Sequence, residues 1–82
     1  MKRKQYLVIV EFAEGSNYSA YVPDLPGCVA AADTRQECLK LMGEAIALHI
    51  RGMLEDGDPI PEPTTESAYV EPAYSDPIEA VA

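Results

Sequence analysis

The alternation of apolar and polar positions divides the chain into a strand-rich first third, a long helix and a proline-punctuated end. Residues 5–13, Gln-Tyr-Leu-Val-Ile-Val-Glu-Phe-Ala, form a β-branched run bounded by charge. This is the pattern of a strand buried on both faces along much of its length. Glu14-Gly15-Ser16-Asn17 is turn chemistry, and a second strand is predicted over 17–22. There Tyr18, Ala20 and Val22 point one way while Ser19 and Tyr21 point the other. The short connection makes the pair a hairpin. Pro23 then ends the ladder because it has no N–H to donate. Leu25-Pro26-Gly27-Cys28 has Pro and Gly at the central positions, as a type II turn demands. A third strand of small residues is predicted over 28–32, and small side chains on a strand imply that another element packs closely across it.

Asp33-Thr34-Arg35-Gln36-Glu37 opens a helix predicted over 35–56, with Thr34 as N-cap, Glu37 placed to complete a capping box, and Gly57 as the stop. At 100° per residue Cys38, Leu41, Met42, Ala45, Ile46, His49 and Met53 gather on one face, and Lys40, Glu44, Arg51 and Glu55 on the other. Leu39 and Ile50 widen the apolar sector beyond what one sheet contact needs, leaving surface for an oligomer contact or a folded-back tail. Gly43 and Gly52 inside the helix either mark close approach of another backbone or are simply tolerated. Beyond Gly57, Pro59, Pro61 and Pro63 alternate and favour a polyproline-like path. Residues 66–71 read as a candidate edge strand, and 72–82 as a flexible acidic tail. The expected architecture is α+β, in the order β-β-β-α-β: a small antiparallel sheet on one long helix, forming one domain over 1–71.

Composition narrows the function. At 82 residues the chain has room for one modest core, and chains of this size bury only about 60% of their unfolded surface. Self-association or a partner is a common source of added stability at that size. Six Lys and Arg against 14 Asp and Glu give a net charge of −8. A field of that sign repels phosphate backbones and steers basic proteins inward, although it also serves plain solubility. Direct nucleic-acid binding is therefore not expected. The apolar run Tyr6–Val10 is too short for a signal peptide or a membrane span, so a cytoplasmic protein is expected.

Candidate chemistry is sparse. The single histidine, His49, has Ala45, Ile46, Gly52 and Met53 as its helix neighbours, none of them an acid, base or ligand. Cys28 and Cys38 are compatible with a disulfide by spacing alone but read as buried, reduced thiols. With His49 they lack the paired close spacing of structural zinc sites. Glu11, Asp24, Asp33 and Glu37 are scattered over strand ends and a helix start, with Glu37 assigned as a cap and Asp24 as a turn residue. No catalytic, cofactor or metal residue is assigned, and no enzymatic activity is expected.

Three segments taken together carry a resemblance: Tyr21-Val-Pro-Asp-Leu-Pro-Gly-Cys28, the Asp33-Thr34 helix start, and Leu54-Glu-Asp-Gly-Asp-Pro-Ile-Pro-Glu-Pro63. In this order and spacing they resemble the HicB family, the antitoxins of HicA–HicB toxin–antitoxin pairs and their stand-alone relatives. The resemblance covers about residues 5–63 and implies a fold like a pared-down ribonuclease H, assembled as a homodimer or higher homo-oligomer. It implies as partner a small basic HicA-like toxin, a messenger-RNA-cleaving ribonuclease that the antitoxin obstructs. The alternative is a stand-alone oligomeric protein-interaction or regulatory domain without a toxin. The family's recurring residues fall on Tyr21, Pro23, Asp24, Leu25, Pro26, Gly27 and Cys28, which the turn chemistry marks as structural. Many HicB antitoxins carry a C-terminal DNA-binding region. The acidic, proline-interrupted stretch after Pro63 matches a short form without one.

Overall fold

The computed structural model describes residues 4–12 and 14–73. It contains three strands, β1 (Ile9–Phe12), β2 (Tyr18–Tyr21) and β3 (Val29–Ala32), followed by one helix, α1 (Arg35–Asp56). The strands form an antiparallel meander in the order β1-β2-β3. Registers Val10↔Ala20↔Ala30 and Phe12↔Tyr18↔Ala32 line one face, and Ile9↔Tyr21↔Val29 the other. The expected α+β sheet-on-helix architecture is present.

β1 is shorter than the predicted 5–13, and the register explains why. Tyr21 pairs with Ile9, so the next residue of β2 that points its backbone at β1 is Pro23, opposite Leu7. Pro23 has no N–H, and the ladder stops. Val22 between them turns the other way and donates to Cys28 O at 3.2 Å. Residues 5–8 therefore continue the line of β1 with no strand partner.

The small residues of β3 do admit a close neighbour. α1 packs across β3 and β2, placing Cys38 and Met42 fully out of water. The Cys38 thiol lies 3.9 Å from Ala30 O. The core comprises Ala20, Val22, Leu25, Cys28, Cys38 and Met42, with Tyr6, Val8, Val10, Ala45, Ile46 and Met53 packed around it. Thr34 caps α1, its hydroxyl accepting from Glu37 N at 3.1 Å. The return bond that would complete a capping box is not formed, and Glu37 instead acts as a carboxylate in the first turn, where the helix dipole favours it. At the other end Gly57 adopts φ +75°. Its N–H reaches Leu54 O and that of Asp58 reaches Met53 O, the paired bonds of a Schellman stop.

The 22 residues of α1 span about 33 Å, whereas a four-residue strand covers about 13 Å. Much of the helix therefore has no sheet beneath it, and Leu48 and Leu54 remain exposed. An added Cβ at Gly43 or Gly52 would meet nothing within 4 Å, so neither glycine serves a close approach in the isolated chain. The candidate strand 66–71 is not formed: all six residues are exposed and lack regular structure. The reason is that no free strand edge lies alongside them, because the chain is tied down at residues 61–65 before it reaches this segment. Of the expected tail, 72–73 also lack regular structure, and 74–82 lie outside the described residues.

Gly43→Ala and Gly52→Ala should each stabilise the chain by about 0.5–1 kcal/mol, visible as a rise in Tm of about 5 °C per substitution. Leu25→Ala should cost about 2–5 kcal/mol, a large part of what a domain this small possesses. Urea titration at constant m-value checks both signs.

Candidate functional site

The motif residues Tyr21 and Pro23 to Cys28 make the connection from β2 to β3. Two turns follow each other. Leu25 N donates to Val22 O, and Cys28 N donates to Leu25 O, each at 3.1 Å. The second turn has Pro26-Gly27 at its centre, with Gly27 at φ +87°, the positive value that a type II turn requires. The double turn folds Leu25 back beneath the sheet to zero exposure, beside Val22 and Cys28. Pro26 and Gly27 stay at the surface. Tyr21 lies on the far face of the sheet with Ile9 and Val29.

Asp24 has a larger role than a turn residue. Its Oδ2 accepts from Thr64 N at 3.1 Å and Thr65 N at 3.0 Å, and its Oδ1 accepts from the hydroxyls of Thr64 at 3.3 Å and Thr65 at 2.6 Å. Upstream, Tyr6 OH donates to Pro61 O at 2.6 Å, and Lys4 Nζ contacts Glu62 at 2.8 Å. The proline-alternating segment is thus a strap. It leaves the end of α1, passes the residues that precede β1, and fastens to the motif loop. Sequence reasoning missed this contact because 40 residues separate Asp24 from Thr64. The one signal for it was the Thr64-Thr65 pair directly after the last proline of the run.

The other candidate groups do not converge. Cys28 and Cys38 are both buried and unbonded, and desolvation pushes the Cys28 thiol above its ordinary value. His49 is half-buried on α1. Among the described residues no three His, Cys, Asp or Glu side chains approach closely enough to share a metal ion. An open depression at the start of α1 is lined by Thr34, Gln36, Glu37 and Lys40, but the Glu37 amide there is already taken by the Thr34 cap. No helix of the described chain is long and apolar enough to cross a membrane. What the surface does offer is charge and apolar area for contact with another macromolecule.

The hydrogen bonds from Thr65 and Thr64 hold the Asp24 carboxyl below its ordinary 3.8. A depressed folded value means that the strap contact is complete above the ordinary value and is lost as pH falls through the depressed one. Acidification from neutral to about pH 4 should therefore leave the Thr64 and Thr65 amides protected, with release only below that. Asp24→Ala should release them at every pH while the sheet and α1 persist. Amide chemical shifts and hydrogen exchange at residues 64–65 read both effects.

Comparisons with known proteins identify the family. The model of the HicB-like antitoxins of bacterial toxin–antitoxin systems matches residues 6–82. An uncharacterised 14.9 kDa protein from the rep–hol intergenic region of Haemophilus phage HP1 is 43% identical over 65 residues, covering 78% of this chain and 49% of the phage protein. A UPF0150 protein of Thermoplasma acidophilum is 33% identical over 66 residues, 80% of this chain and 96% of that protein. A protein named Antitoxin HicB 1 from Photorhabdus laumondii is 32% identical over 63 residues, 77% of this chain and 41% of its own length. The chain thus spans about half the length of the phage relative and nearly all of the Thermoplasma one. With the motif loop, the sheet-on-helix fold and a match over nearly its whole length, the chain belongs to the HicB-like antitoxin family.

Proposed function

We propose that this protein is a non-enzymatic, cytoplasmic antitoxin that binds a small basic HicA-type toxin and obstructs its messenger-RNA-cleaving site. The observation that carries this reading is a run of five exposed carboxylates, Glu55, Asp56, Asp58, Glu66 and Glu71, beside Glu62, which pairs with Lys4, with no Lys or Arg after Arg51. Two of them sit at the C-terminal end of α1, whose last turn has no basic residue. The negative end of the helix dipole makes that placement unfavourable by about 0.3–1 kcal/mol for each charge. Folding alone gives no reason to keep carboxylates there, whereas a cationic partner does.

Family membership supplies the class of partner, and the charge supports a basic surface on it. The same field disfavours a phosphate backbone, so direct nucleic-acid contact is not part of the reading. Within it the motif residues Tyr21 and Pro23 to Cys28 are scaffold, and the partner meets the acidic ribbon.

Co-expression with the neighbouring reading frame tests the proposal. A small basic protein should co-purify, and its ribonuclease activity should be silent in the complex. If no such protein is encoded alongside and none co-purifies, the reading fails. Replacing Glu55 and Asp56 together by Lys should leave the isolated chain as stable or slightly more so, while weakening toxin binding about tenfold or more. Added salt should weaken the wild-type complex in the same direction.

A further inference from the structure

Residues 66–71, Glu-Ser-Ala-Tyr-Val-Glu, are all exposed and lack regular structure. Tyr69 is 105% exposed and Val70 84%, above every other large apolar side chain described. Single exposed apolar residues are ordinary at a protein surface. What differs here is the element that carries them. Leu48 and Leu54 belong to α1, which buries Cys38 and Met42 on another side, and Phe12 belongs to β1 and rests against Tyr18. The segment 66–71 has no buried side. Nothing in the fold of the described chain accounts for a tyrosine and a valine placed next to each other in it.

The segment is nonetheless held at its root. Asp24 accepts from the N–H and hydroxyl groups of Thr64 and Thr65, and the next residue is Glu66. This clamp fixes where the segment leaves the body, beside the motif loop. An arm with a fixed point of departure gives up less freedom on docking than a free tail, which favours binding.

Charge identifies the occupant. Glu66 and Glu71 bracket Tyr69-Val70, and no Lys or Arg follows Arg51. Carboxylates give up water readily only where cations meet them, and tyrosine is among the side chains that most often anchor protein interfaces. The complement of this arm is an apolar recess rimmed by Lys or Arg. A phosphate backbone and an anionic lipid surface have the wrong sign, and so does a second copy of this chain at −8. We propose that residues 66–71 form a docking arm whose Tyr69 and Val70 insert into such a recess on the basic toxin. Asp24 is then a positioning residue, which sets the arm without touching that partner. The inference rests on the antitoxin reading and deepens it. Glu66 and Glu71 belong to the same acidic run, and the arm adds an apolar anchor that charge alone does not provide.

The test uses the full chain and the toxin encoded beside it. Tyr69→Ala should weaken toxin binding about tenfold or more, with helical circular dichroism and the urea midpoint unchanged. Because the contact is apolar, that factor should persist as salt rises, whereas the effect of the Glu55 and Asp56 replacements should fade. Asp24→Ala should weaken binding about threefold or more, and should cost little further in the Tyr69→Ala background, since both act through one arm. Amides of 66–71 should exchange freely in the toxin-free chain and slow in the complex. A toxin that binds the wild type and Tyr69→Ala equally overturns the arm and leaves the antitoxin reading standing. The absence of any toxin binding sinks that reading and the arm with it. Amides of 66–71 already protected without toxin mean that a second copy or the chain itself occupies the arm, which also overturns the proposal. An Asp24→Ala chain that binds like the wild type removes the positioning role.

Discussion

Leu25 holds the parts of this molecule together. It sits in a loop between two strands, where most residues face solvent, yet it has zero exposure. Two consecutive turns, closed by the Val22–Cys28 bond, fold it under the sheet among Val22, Cys28, Cys38 and Met42. The geometry that buries Leu25 also sets Asp24 beside it at the surface, facing the strap. Pro23 precedes it in the same loop, at the position where β1 loses its partner. The anchored loop thus carries both the proline that ends the first strand and the carboxylate that fastens the last segment.

Much of this was legible in the sequence, and the part that was not has a definite character. The caps of α1 could be read from Thr34 and Gly57 because capping is local chemistry, written within a turn of the residue concerned. The type II turn at Pro26-Gly27 was equally local. The small residues of β3 foretold a close neighbour, and Cys38 and Met42 supplied it. What could not be read depended on distant pairing. β1 was overestimated because its apolar run continues through Leu7, whereas its ladder depends on which residue faces it. Asp24 was taken as a turn residue because its partners lie 40 positions later. Residues 66–71 have the composition of a strand, but composition does not say whether an edge lies within reach.

The electrostatics separate into two scales. Locally, Lys4 meets Glu62 and Asp24 meets two threonines, and these contacts place the strap. Globally, carboxylates outnumber cations along the end of α1 and the strap, where Lys4 offsets Glu62 and no Lys or Arg follows Arg51 in the sequence. The first scale serves the fold. The second works slightly against it at the C-terminal end of α1, where the helix dipole disfavours carboxylates. Family membership and this acidic surplus are separate observations, one arising from the order of motifs and the other from the distribution of charge.

The two buried thiols have a consequence of their own. Cys28 belongs to the Leu25 loop and Cys38 to the first turns of α1, and both are unbonded and shielded from solvent. Because burial keeps reagents from both sulfurs, each is inert while its own neighbourhood stays closed. A thiol-reactive dye therefore turns the chain into a two-channel breathing gauge: modification at Cys28 records opening of the loop, and modification at Cys38 records lifting of the helix from the sheet. The order in which the two react would reveal which half of this small core yields first.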